Sequence, residues 1–176
     1  LQTILSRCIT LNMKTVKAEV IRDYLMKQYK IPDYQADVCA AFSQGNVGKA
    51  IQLASSEDFG ELKASVLQLM KRLDEIDVYE MTAAVKQISE YKLVVNDYFD
   101  LMTIWFRDVL YMKATNDVNG LIFKDEVYDI KKQAAKRSYQ GIETILQALE
   151  TAKVRLNANV NFDLVIELLL LTIKEN

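Results

Sequence analysis

Arg7, in the string Ser6-Arg7-Cys8, and Lys49, in Gln44-Gly45-Asn46-Val47-Gly48-Lys49-Ala50, are the residues best suited to charge chemistry in this chain. An arginine offers a planar fork that stays charged and pairs with two oxygens at once, and a lysine offers a compact, mobile cation. Little else is available. None of the 176 residues is histidine, which removes the commonest general base and the commonest metal ligand. Cys8 and Cys39 are the only thiols, so a Cys/His zinc site within the chain is excluded and no disulfide framework can form. Two thiols of this kind suit a reducing cytoplasm. There is no Gly-rich phosphate loop ending in Lys-Ser or Lys-Thr, and no pair of carboxylates stands in an apolar setting. The expectation is a chain that catalyses no reaction by itself and holds no cofactor or metal.

The elements that must position Arg7 and Lys49 read as helices. One proline, Pro32, and five glycines are too little punctuation for a sheet protein with many tight turns. Residues 9–13 alternate apolar and polar, the period of a short strand, which would have no partner strand. Thr15 is the expected N-cap of a first helix carrying Val16, Val20, Ile21, Tyr24 and Leu25. Pro32-Asp33 ends that helix and starts a second, with Cys39 and Phe42 on its inner face. Gly45 is placed to close it as a C-cap, and Asn46 to cap a third helix through Ile51 and Leu53. Ser55-Ser56-Glu57-Asp58 is the most linker-like stretch.

Longer helices follow. Leu62, Val66, Leu69, Met70 and Leu73 form one stripe, and Asp77 with Glu80 makes a capping box before Met81, Ala84, Val85 and Ile88. A long helix runs from about Leu93 to Ala114 with Tyr98, Leu101, Met102, Trp105, Val109 and Met112 inward. After the loop 116–120 comes a shorter helix around Val127 and Ile130. Ser138 caps the next, and Asn161 the last, from Phe162 to about Lys174. That final helix is apolar on most sides and is expected to be central, not on the surface. The chain is therefore read as all-α, in two parts: a three-helix unit over residues 1–57 and a larger bundle over 58–176.

Charge adds a limit. Lys plus Arg number 22 and Asp plus Glu 24, so a formal charge of -2 gives no global attraction to DNA or an anionic membrane. Two lysine-rich spots, around Lys14 to Lys30 and around Lys131 to Arg137, are interleaved with acids and read as solvated helix faces. The most apolar segment, Val165 to Ile173, is too short to span a bilayer. The chain opens on Leu1-Gln2-Thr3-Ile4 without Met, and is read as cut from a longer protein.

The string Thr3-Ile4-Leu5-Ser6-Arg7-Cys8, followed by a short strand and a three-helix unit, resembles the Ser-Arg-Cys motif of AAA+ clamp-loader ATPases. In that family the motif arginine reaches across a subunit boundary to the terminal phosphate of a neighbour's ATP, a role the resemblance implies for Arg7. The segment Gly45 to Ala50 resembles the one that carries a sensor arginine in active subunits. Here Gly48 takes that arginine's place and Lys49 follows, the pattern of the delta-prime subunits of bacterial DNA polymerase III. Trp105-Phe106-Arg107-Asp108-Val109-Leu110 resembles a string of the delta-prime collar, and Leu156 to Asn161 with the leucines after it resembles the collar's closing turn and helix.

The resemblance implies that residues 1–57 are the end of an AAA+ core with its lid and that 58–176 are a collar. Implied partners are the delta and gamma/tau subunits, and through the whole complex the sliding clamp and primed DNA. The chain would then be a non-catalytic part of a DNA-directed DNA polymerase holoenzyme in the cytoplasm. Bland readings stand beside these. Arg7 is equally an ordinary surface arginine. Gly45, Asn46 and Gly48 are equally helix punctuation, with Gly48 admitting close packing, and the Lys49 ammonium could still reach a phosphate. Arg107 and Asp108, adjacent on a helix, point different ways and are read as surface ions. A helical scaffold unrelated to ATP, or a motor subunit of the same family, would also carry these residues.

Overall fold

The computed structural model describes residue 7 and residues 14–176, and every regular element among them is helical. Among these residues nine α-helices run in order: α1 Ala18–Tyr29, α2 Asp33–Phe42, α3 Val47–Ala54, α4 Glu57–Arg72, α5 Val78–Ser89, α6 Val95–Thr115, α7 Val127–Lys136, α8 Tyr139–Asn157 and α9 Phe162–Glu175. Single 3-10 turns, Lys92–Val94 and Lys124–Glu126, lead into α6 and α7. The chain divides into two compact units, Leu1–Ala54 and Ser55–Asn176. The strand expected over residues 9–13 lies outside the described residues. No described helix is long and apolar enough to cross a membrane.

In the first unit α1, α2 and α3 each pack on the other two. Ile21 and Leu25 from α1, Ala36, Cys39 and Phe42 from α2, and Ala50 and Ala54 from α3 are buried together in its core. The register of α1 differs from the expected one. Val20 is 56% exposed and Tyr24 is exposed beside it, so the inner face is Ile21 and Leu25 alone. Thr15 is not the N-cap: Lys17 holds that position without a side-chain bond, and α1 starts at Ala18. The reason is that Val16 N–H donates to the Gly45 carbonyl at 3.0 Å, which ties the incoming chain to the α2–α3 turn before the helix begins.

The second unit is built around α6, which packs against α4, α7 and α8. Tyr98, Phe99, Leu101, Met102, Trp105, Phe106 and Val109 are fully buried on it. Burying each large apolar side chain contributes roughly 2–3 kcal/mol. Trp105 Nε1 donates to Gln133 Oε1 at 3.0 Å, and Gln133 Nε2 donates to the Met70 carbonyl at 2.7 Å, so one polar chain joins α6, α7 and α4 inside the core. The stripe on α4 faces inward as read, and the Asp77–Glu80 capping box forms with both bonds, at 2.8 and 2.9 Å. Ser138 and Asn161 cap α8 and α9 by accepting from Gly141 N–H and Leu164 N–H.

The last helix is not central. It packs on α8 and α5 through Val165, Ile166, Leu169, Leu170 and Ile173. Leu164, Leu168 and Leu171 remain 51, 44 and 39% exposed on its outer side. A helix with leucine round most of its circumference has more apolar surface than two neighbours can cover, and the surplus faces solvent.

Candidate functional site

The α2–α3 turn gathers Gly45, Asn46, Gly48 and Lys49. Gln44 and Gly45 both take positive φ, 50° and 88°, and the helix before them ends with Ser43 at the C-cap. A Cβ on Gly45 would meet the Thr15 Cβ at 2.6 Å, so glycine is required there by both conformation and space. Gly45 is thus not the C-cap itself: it sits just beyond, in the clasp on residues 15–16. Asn46 Oδ1 accepts the Lys49 N–H at 3.0 Å and caps α3.

Gly48 is not there for close packing. It is exposed, and an added Cβ would find only Asn46 Oδ1, at 3.4 Å. A side chain of any length is therefore sterically admissible at the position aligned with the sensor arginine. The Lys49 ammonium lies 4.5 Å from the ring centre of buried Phe42, a cation–π contact on its own unit. Arg7 is exposed on a turn, while Ser6 and Cys8 lie outside the described residues.

Arg107 and Asp108 are a pair, contrary to the expectation for adjacent helix residues. Arg107 Nη1 lies 2.7 Å from Asp108 Oδ1, because the long guanidinium folds back over its neighbour. Asp108 is no surface ion: its side chain is wholly buried, and its Oδ2 accepts the N–H groups of Ile122 and Phe123, both at 2.8 Å. Burial pushes its carboxyl above the usual range, against the pull of the Phe123 N–H, the Arg107 guanidinium and the Ile122 N–H. Arg107 also reaches the Gly120 carbonyl at 3.2 Å. The string therefore holds the loop between α6 and α7 against α6.

The lysine-rich stretch at 131–137 is paired, not a cationic patch. Lys132 meets Glu75 at 2.7 Å and Lys136 meets Asp74 at 3.3 Å, while Arg137 meets Asp74 at 2.6 Å and donates to the Ile173 carbonyl at 2.7 Å. In the other spot Arg22 faces Asp23, Asp33 and Asp37 within 4 Å. Among the described residues no group of acids and thiols could hold a metal ion.

One surface feature is not anticipated by the sequence reading. Thr144, Gln147, Ala148, Thr151 and Arg155 of α8 and Leu168 and Thr172 of α9 line a groove between the two helices. The hydroxyls of Thr144, Thr151 and Thr172 donate to carbonyls four residues back, at 2.8–2.9 Å, so none needs a partner across the groove. Leu164, Leu168 and Leu171 continue this surface along α9. The signal for it lies in the excess of leucine on the last helix, more than one buried face requires.

Residues 57–175 match the family described as DNA polymerase III, delta subunit, C terminal. Over 178 aligned positions the chain is 29% identical to DNA polymerase III subunit delta' of Bacillus subtilis (strain 168), covering 99% of this chain and 53% of that protein. The chain spans about half the length of this curated relative. Both findings bear out the resemblance read from the sequence.

Proposed function

The chain belongs to the family formed by the C-terminal domains of DNA polymerase III delta subunits, and from that membership we propose that it serves as the lid and collar of a delta-prime subunit in a clamp loader. Residues 58–176 act as the collar that joins the subunit to delta and the gamma/tau motors in a pentamer. Residues 1–57 are the end of an AAA+ core with its three-helix lid. The whole complex opens the sliding clamp and loads it on primed DNA, and this chain adds no catalytic centre of its own.

The observation that carries the reading is the family match over 57–175, which spans nearly the whole second unit. Two features of the first unit support the delta-prime form over a motor. Gly48 leaves the sensor position without a cation although a side chain would fit. Lys49 is turned onto Phe42.

Arg7, exposed on a turn ahead of the lid, acts in trans on the ATP of a neighbouring motor. Its guanidinium would stabilise charge on the terminal phosphate in the transition state, an effect worth on the order of 10³-fold or more in comparable enzymes. Arg7→Ala in the full-length subunit is the test. DNA-stimulated ATPase of the reconstituted pentamer should fall by roughly tenfold or more, only some of its sites losing the arginine, while assembly persists. Unchanged ATPase in an intact pentamer would remove Arg7 from the mechanism. Failure of the wild-type subunit to join the pentamer would remove the collar reading itself.

A further inference from the structure

The α8–α9 groove has a charge at each end. Arg155 lines it near the last turn of α8. The first turns of α8 adjoin the end of α9, since a Cβ on Gly141 would meet the Asn176 carbonyl oxygen at 2.7 Å. At that end Glu143 accepts from Gln147 Nε2 at 3.4 Å, and Gln147 lines the groove. Glu175, exposed, lies one helical turn beyond Leu171 and continues the leucine row. The remaining ions nearby are committed elsewhere. Lys153 is held by Asp100 and Glu150, each at 2.8 Å, and Glu167 lines the opposite groove, toward α5.

The leucine row from Leu164 to Leu171 runs about 10 Å along the helix, or two turns. It is flanked by satisfied threonines and alanine, so an occupant would gain contact without stranding a buried hydroxyl. The geometry points to one occupant: a single amphipathic helix from a neighbouring subunit, with an apolar stripe about two turns long. Charge complementarity orients it. A lysine or arginine at one end of that stripe meets Glu143 and Glu175, and a carboxylate at the other meets Arg155. This inference rests on the reading of the chain as part of a clamp loader, and names the surface through which it assembles.

The test uses the full-length subunit mixed with the delta and motor subunits of the same organism, followed by size-exclusion chromatography with light scattering at low and high salt. Leu168→Asp places a charge in the middle of the row. Its side chain is partly exposed, so the variant should keep the helical content and melting temperature of the wild type while its affinity for the partners falls roughly tenfold or more. Arg155→Glu, at an exposed position, should weaken assembly several-fold at low salt, with the difference shrinking at high salt. Two variants that assemble like the wild type would overturn the groove while leaving the subunit reading in place. A wild-type subunit that stays separate from its partners would overturn both. A wild type that instead pairs with itself, and does so only while Leu168 is intact, would assign the groove to a second copy and overturn the partner named here.

Discussion

Asp108 and Phe123 are fifteen residues apart, and a bond of 2.8 Å from the Phe123 N–H to the Asp108 carboxylate closes the loop between them. The same oxygen takes the Ile122 N–H, so two backbone donors rely on one buried group. Asp108→Ala should cost about 3 kcal/mol, because both donors lose their acceptor inside the protein. The change should show in urea unfolding followed by Trp105, the one tryptophan, which is fully buried. Arg107→Ala is the control. Its side chain is 49% exposed, and its loss should cost under about 1 kcal/mol. Equal effects in the two variants would mean that the ion pair, not the backbone bonds, holds the loop.

Tyr98 is buried and its hydroxyl makes no well-formed hydrogen bond. Burial pushes its phenol up to about 12, against a weaker pull from nearby Ser65. Tyr98→Phe should therefore leave stability at pH 8 within about 1 kcal/mol of wild type, or raise it. The pH dependence has a definite sign. The unfolded tyrosine ionises near 10 and the folded one near 12, so the unfolded state binds fewer protons between those values. Wild-type stability contributed by Tyr98 is present below pH 10 and is lost as pH rises through the folded value. The phenylalanine variant should gain on wild type by up to about 3 kcal/mol over that range. A constant difference from about pH 9 to about 11.5 would show that the hydroxyl is solvated in the folded protein.

The glycines divide into two kinds. Gly60 lies in α4 with nothing within 4 Å of an added Cβ, and Gly48 lies near the start of α3 with similar room. Replacing Gly60 by Ala should stabilise the second unit by up to about 1 kcal/mol, and Gly48→Ala should stabilise the first by rather less. Gly45→Ala should cost more than about 2 kcal/mol, since its φ is +88° and Thr15 leaves no space. Thermal unfolding by circular dichroism separates the two outcomes. A tolerated Gly45→Ala would mean that the clasp between Gly45 and Val16 yields at little cost.

Periodicity and capping residues carry most of the fold. The stripe from Leu62 to Leu73, the Asp77–Glu80 box and the caps at Ser138 and Asn161 are local, so a short window of sequence contains their whole cause. The departures are non-local. Nothing near Val20 says that Gly45 will reach back to Val16 and turn α1 so that Ile21 faces inward. Arg107 and Asp108 look like surface ions until the loop at 122–123 arrives with two unpaired N–H groups. The leucines of α9 signal burial correctly in kind, but their number exceeds what α5 and α8 can cover. In the candidate site, the identity of the Gly45–Lys49 turn is legible. The open space at Gly48 and the engagement of Lys49 with Phe42 depend on tertiary placement.

The carbonyl bonds at the end of α9 also set an order of events during synthesis. Arg137 donates to the Ile173 carbonyl, and Lys174 donates to the carbonyl of Ile76, 98 residues earlier in the chain. The three-helix unit has all its helices by Ala54 and is free to close while the rest is still being made. The second unit has no such freedom. At ribosomal rates of about 5–20 residues per second, the residues between Ile76 and Lys174 take roughly 5–20 seconds to emerge. Through that interval α5 has an apolar face waiting for α9, and this nascent stage is when the chain is most in need of a chaperone.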